Sequence, residues 1–404
     1  MSKAPVIAPS PDFTFGPVDS LQGAPRAMKL GAGGPVPPDL GPLAAMAGTK
    51  GQSWIGNGFN TIFRPQSAKT PTKLPVPAIG PNDNVLELNL TNEQTTFTPI
   101  PGTIPNRGGG LTQGDVELTG MVYLQNIQDV TSEPVTGIHI EPGLWLVIPP
   151  SAAPSQPATT VARTASIPHG TTVNAQGTAT TRTGPPSIPA VNITPTNVVS
   201  GTPVPTGTFP SQTAATANTF RIPQDLTAFI KAGTITQPIL DDPNLVLRNI
   251  SSRQTITQHT EVSISTTAQT PIVAGGGLAN IAFLQNVGLP QDPPPTGPNA
   301  LGAKMTATFW IETVTKDVTL PPWKPGDPNL KIPLVDGLAG SVTPTLNIAP
   351  EGEIIAPKRV TLTFTQIQYS QTVILDFNTL SWPHVSVATL VPAVVTVPAS
   401  ALAG

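Results

Sequence analysis

Four histidines are spread along the chain: His139, His169, His259 and His384. Imidazole suits proton transfer near neutral pH and is the commonest metal ligand, so each position is weighed by its neighbours. His384 opens "HVSVATLVP" (384–392). Alternate side chains of a strand share a face. His384, Ser386, Ala388 and Leu390 therefore look one way, and Val385, Val387, Thr389 and Val391 the other. Small residues beside the ring leave room for a flat, bulky group above it. The plainer alternative is a rim histidine hydrogen-bonded to a carbonyl.

His139 stands in "TGIHIEPGLWLVIP" (136–149), two residues before Glu141. Strict alternation puts His139, Glu141 and Gly143 on one face, with Pro142 expected to bend the strand. His-X-Glu is a metal pair or an acid/base pair in spacing, but two ligands do not make a site. His169 occupies a Pro-His-Gly turn in "ASIPHGTTVNAQG" (165–177). His259 has only Glu261 nearby and reads as an ordinary strand histidine. Three histidines with a carboxylate would suit zinc or non-haem iron, though nothing in the spacing demands it. In "GTKGQSWIGNGFNTIFRP" (48–65), Trp54, Gly56 and Gly58 alternate. A large aromatic beside two missing side chains predicts a barrel bottom, plugged by Trp54 and coiled sharply at the glycines. Thr61, further along that strand, is a hydroxyl for an interior ligand. No serine-nucleophile elbow, P-loop, Rossmann glycine pattern or HExxH zinc motif is present.

The elements that position these residues are strands. With 51 prolines and 36 glycines in 404 residues, the chain stays below the ~25–30% that marks low-complexity sequence. Val/Ile/Thr/Leu-rich runs lie between these punctuators, which predicts an all-β fold. Ten strands are expected, over 52–63, 84–97, 115–129, 137–148, 159–167, 245–266, 278–285, 303–318, 358–375 and 384–396. Long strands with turn punctuation suit a closed antiparallel barrel, which leaves no edges. The best helical stretch is "IPQDLTAFIKAG" (222–233). Residues 1–45 read as an extended amino-terminal tail, 46–396 as one enlarged barrel domain, and 397–404 as a carboxy-terminal tail. The Pro/Thr-rich stretch 150–222 reads as a long insertion and candidate lid.

A net charge of −3, 11% charged residues and no Lys/Arg run argue against nucleic acid as a partner. The absence of cysteine excludes disulfides, thiolate nucleophiles and cysteine metal sites. No signal-peptide core opens the sequence and no run of 18 apolar residues follows, so the expectation is a cytoplasmic protein without a membrane partner.

Three elements, in this order, resemble the nitrobindin family of haem-binding β-barrels. "WIGNGFNTI" is similar to its amino-terminal Gly-X-Trp-X-Gly-X-Gly strand. "GIHIEPGLW" and the turn in "ASIPHGTTVNAQG" are similar to its His-X-Glu strand and the turn after it, and "PHVSVATL" to its terminal strand, whose histidine binds haem iron. About 100 residues in scattered blocks carry the likeness, in a chain more than twice the family's usual length. The resemblance implies a ten-stranded antiparallel, calycin-like barrel holding ferric haem b in an open end. It also implies His384 as the iron ligand and Trp54, Gly56, Gly58 and Thr61 as barrel end and cofactor pocket. His139, His169 and Arg163 are then the candidate catalytic groups on the opposite side of the iron, and the expected chemistry is peroxidase-like, isomerase-like, or the handling of peroxynitrite or nitric oxide. One extra residue after Ser386, relative to the family, predicts a bulge or shifted register. Two other readings are a haem-free carrier of an apolar small molecule and a structural β assembly protein. A homo-oligomer is compatible with each of the three.

Overall fold

The computed structural model describes residues 38–402 apart from 49–50, 67–71, 80–83, 109–113, 153–154, 157, 206, 269–274, 286–299 and 350–351. Most of the expected tail, residues 1–37, lies outside the described residues.

Ten antiparallel strands close into a barrel: β1 Gln52–Arg64, β2 Val85–Pro99, β3 Val116–Asp129, β4 Thr136–Ile148, β5 Thr160–Ile167, β6 Thr171–Thr183, β7 Thr255–Ser265, β8 Leu301–Leu320, β9 Lys358–Phe377 and β10 Leu380–Pro392. Each strand pairs with the next, and β10 returns to β1. The sheet therefore has no free edge along the barrel. Local chemistry sets the turns. Asn378 and Thr379 both take positive φ, 48° and 64°, as the two-residue β9–β10 hairpin requires. Gly170, at φ 109°, completes the short β5–β6 turn that carries His169.

Two apolar cores lie on opposite sides of the wall. One fills the lower barrel with Trp54, Phe97, Met121, Trp145, Phe309 and Leu390. Beneath it, residues 41–47 form a short helical plug rather than an extended tail, and Met46 O accepts from Trp54 Nε1 at 2.7 Å. Trp54 closes this end, as the spacing predicts. The second core lies outside β1, β2 and β8–β10, where Phe63, Leu88, Trp382 and Val387 meet Phe209, Leu240, Leu247 and Leu346 from two inserted segments. One of those segments is 184–254, so the expected insertion is displaced. Residues 160–183 of the expected insertion are barrel strands, and Ile188, Ile193, Phe209 and Ala214 further along it pack on the outer wall.

Other boundaries shift for identifiable reasons. Residues 245–251 form a helix, not the start of a strand, because Val246, Leu247 and Ile250 bury one helical face. Gly275–Asn280 is a short strand paired with β6, followed by a helical turn at Ala282–Gln285. The missing tenth barrel strand is β6. The helix at Thr227–Ala232 forms as expected and ends at left-handed Gly233. β10 pairs with β1 and β9 in unbroken register from Leu380 to Pro392, so the expected bulge after Ser386 is absent. Val394–Val397 leaves the barrel to pair with Thr345–Ile348, and Ala399–Leu402 is helical where a tail was expected. Among the described residues no helix is long and apolar enough to cross a membrane.

Candidate functional site

The upper half of the barrel holds a cavity of about 240 Å³. Its wall is polar. From β10, His384, Ser386 and Leu390 face inward, as alternation predicts. Val385, Val387 and Val391 point the other way, into the outer core. Asn60 on β1 donates its amide to His384 Nε2 at 2.8 Å and to Ser386 Oγ at 2.7 Å, and its carbonyl accepts from Asn89 at 3.3 Å. Burial, with His139 and then His169 nearby, holds His384 down at about 3, so the imidazole is neutral.

β4 carries an irregularity opposite Ile127 and Gln128. The extra residue falls at Ile138, so Ile138 and His139 both reach the cavity. Sequence reasoning placed the bend at Pro142, which instead pairs in register with Leu124. His139 Nε2 lies 3.1 Å from Glu141 Oε2, and its ring centroid is 6.1 Å from that of His169. His139, His169 and His384 therefore share one cavity. Among the described residues no group of three or more His, Asp or Glu side chains is close enough to hold a metal ion.

Deeper in the barrel, Glu141 and Arg163 form a buried ion pair, with side chains 1% and 4% exposed. Arg163 also donates from Nε to Tyr123 Oη at 2.8 Å and from Nη1 to Gln371 Oε1 at 2.6 Å. Its guanidinium lies 5.5 Å from the Tyr123 ring centroid and 5.6 Å from that of Phe309. Burial alone would raise the Glu141 carboxyl, but Arg163, His139 and the hydroxyl of Tyr123 outweigh it and hold it at about 2. Arg163 is thus committed to its neighbours within the wall.

A second buried carboxyl, Glu93 on β2, has no cation against it. Its Oε1 accepts from Thr95 Oγ1 at 2.9 Å and Gln125 Nε2 at 2.7 Å, and its Oε2 from Tyr369 Oη at 2.7 Å. Burial raises this carboxyl above its ordinary value, while those hydrogen bonds and His139 pull the other way.

Several expected site residues fall elsewhere. Trp54 belongs to the floor, below the cavity. Gly56 and Gly58 are wall positions where β1 meets β10. A Cβ at either would overlap a β10 carbonyl oxygen, Thr389 O or Val387 O. Thr61 is seven residues from inward-facing Trp54 and so points away from the interior. It is buried in the wall and is not a cavity hydroxyl. His259 also faces outward and makes a 2.8 Å hydrogen bond from Nδ1 to Gly184 O, the ordinary strand histidine expected. Sequence reasoning missed Asn60, Glu93, Gln125 and Tyr369. The signal available was polar residues at period two in "ELNLTNEQTTF" (87–97).

Comparison of the chain with protein-family models, curated proteins and solved structures gave no match.

Proposed function

We propose that this chain is a nitrobindin-like haem-binding barrel, with His384 as the protein ligand to the iron. The observation that carries the reading is a neutral imidazole on the last strand of a ten-stranded barrel, facing a cavity at one end. A neutral imidazole nitrogen is the right donor for haem iron. Ser386 and Ala388, the small residues on the same face, support a flat group beside the ring. Nε2 carries the Asn60 amide, which has to turn aside for iron to bind. Ser386 Oγ and Asn89 are the partners that keep Asn60 satisfied when it does.

When bound, haem would supply an iron with one free position for peroxide, nitric oxide or peroxynitrite, which makes an oxidoreductase of peroxidase type the favoured reading. His139 and His169 are the imidazoles placed to exchange protons at the mouth. Arg163 fills a different role from the one its charge suggests: it keeps Glu141 ionised, and Glu141 in turn orients His139. The test is titration of purified protein with ferric haem. The expected result is a sharpened Soret band in the wild type and an altered spectrum in His384→Ala. An unchanged spectrum in His384→Ala defeats the ligand assignment, and no uptake by the wild type defeats the haem reading. In that outcome the alternative is a haem-free carrier of an apolar small molecule, held against the Ile, Phe and Leu side chains of the cavity.

A further inference from the structure

Two buried carboxyls stand in contrasting settings, Glu93 in the cavity wall and Glu141 occluded beside His139, and neither is used by the iron-ligand assignment. Glu141 has a guanidinium against it. Glu93 has three neutral donors and no cation. Pairs of carboxyls whose surroundings separate their ionisation mark which is the acid and which stays charged. We propose that Glu93, acting through Tyr369, is the proton donor of this cavity, serving ligands that present a lone-pair oxygen or nitrogen to the Tyr369 hydroxyl.

The hydrogen-bond arrangement gives the route. In neutral Glu93, Oε1 is the carbonyl oxygen and takes the bonds from Thr95 and Gln125. Oε2 then carries the proton and donates it to Tyr369 Oη across the 2.7 Å contact, which frees the tyrosine O–H to point into the cavity. When a ligand takes a proton from Tyr369, the O–H bond of Glu93 breaks and a new one forms on Tyr369. The ligand gains one proton and Glu93 becomes a carboxylate. That carboxylate is met by Thr95, Gln125 and Tyr369 as three donors, the pattern in the structure. Tyr369 never has to ionise: burial and then Glu93 push its own ionisation well upward.

Burial favours the neutral form of Glu93, while Gln125, Tyr369, Thr95 and His139 pull toward the carboxylate. β1 and β10 present only His384, which is neutral, and Gln125 is the facing group on β3. From β4 and β5, the ion pair of Glu141 and Arg163 is internally balanced. His139 is the one group whose protonation would draw the Glu93 proton away.

The proposal rests on ligand binding in this cavity but not on haem, so the test uses haem-free protein. Infrared spectroscopy reads the carbonyl stretch of neutral carboxyl groups. Glu312, buried on the outer wall and raised to about 8, would contribute its own band, so Glu312→Gln is the parent. At neutral pH the parent is expected to keep one neutral-carboxyl band, and Glu312→Gln/Glu93→Gln to lose it. Tyr369→Phe in the same parent is expected to keep the band at a shifted frequency, because Oε2–H loses its acceptor. It also serves if the Glu93 variant does not fold. No band in the parent, a band that survives Glu93→Gln, or an unshifted band in Tyr369→Phe overturns the proposal. A parent that shows the band yet takes up no haem loses only the haem reading, and a parent that takes up haem without the band loses only the acid.

Discussion

Replacing Arg163 with Met should do more than weaken the barrel; it should reverse how acid affects it. Glu141 and Arg163 are almost wholly buried. Removing one partner leaves the other as an uncompensated buried charge, at a cost of about 3–5 kcal/mol. The pH dependence gives a second handle on the same pair. The Glu141 carboxyl lies at about 2 in the fold against an ordinary 4.5. At ~1.36 kcal/mol per unit, that difference is worth roughly 3 kcal/mol. Because the folded value is depressed, this stability is complete above about 4.5 and is lost as pH falls through the window down to about 2. In Arg163→Met, burial is no longer opposed by a guanidinium and lifts the carboxyl, so the fold favours the neutral acid. Glu141 should then destabilise the protein as pH rises toward neutral. Equilibrium denaturation across a pH series measures both effects, and a double-mutant cycle with Glu141→Gln isolates the coupling. If Arg163→Met costs under ~1 kcal/mol at neutral pH, or keeps the wild-type acid slope, Arg163 does not hold the buried Glu141 in its charged form.

Gly58→Ala is expected to cost about 1–3 kcal/mol or more by overpacking. Its Cβ overlaps the Val387 carbonyl oxygen and falls 2.9 Å from Ala388 Cα, backbone that cannot yield without parting β1 from β10. Gly137→Ala, with nothing within 4 Å, is the neutral control; equal denaturation midpoints for the two would contradict the close approach. Asn60→Ala removes the donor to His384 Nε2. Haem titration should show affinity rising about fivefold, the worth of ~1 kcal/mol for one neutral hydrogen bond; a fall would mean that Asn60 supports the bound state.

Periodicity located nine of the ten barrel strands and put His384, Ser386 and Leu390 on one face. It missed β6 because "TTVNAQGTATTRT" (171–183) is polar and small, with Val173, Ala175, Gly177 and Ala179 turned inward. It also could not say which face of β2 was inside. Leu86, Leu88 and Leu90 alternate with Glu87, Asn89 and Thr91, and the usual inference puts the leucines in the barrel. Here the leucines face the outer core and the polar set lines the cavity. A wall buried on both sides defeats the rule that apolar means inward. The Glu93 and Arg163 networks were illegible for a related reason. Their partners come from strands up to 276 residues apart, a neighbourhood that only barrel closure creates.

The plug beneath Trp54 makes the barrel a blind tube. Traffic through a blind tube is single file, and whatever enters last must leave first. A molecule seated against Glu93 and Tyr369 would be shut in by anything that later settles on His384. If both places fill, the order of arrival, rather than the two affinities alone, decides which complexes can form and how quickly they come apart.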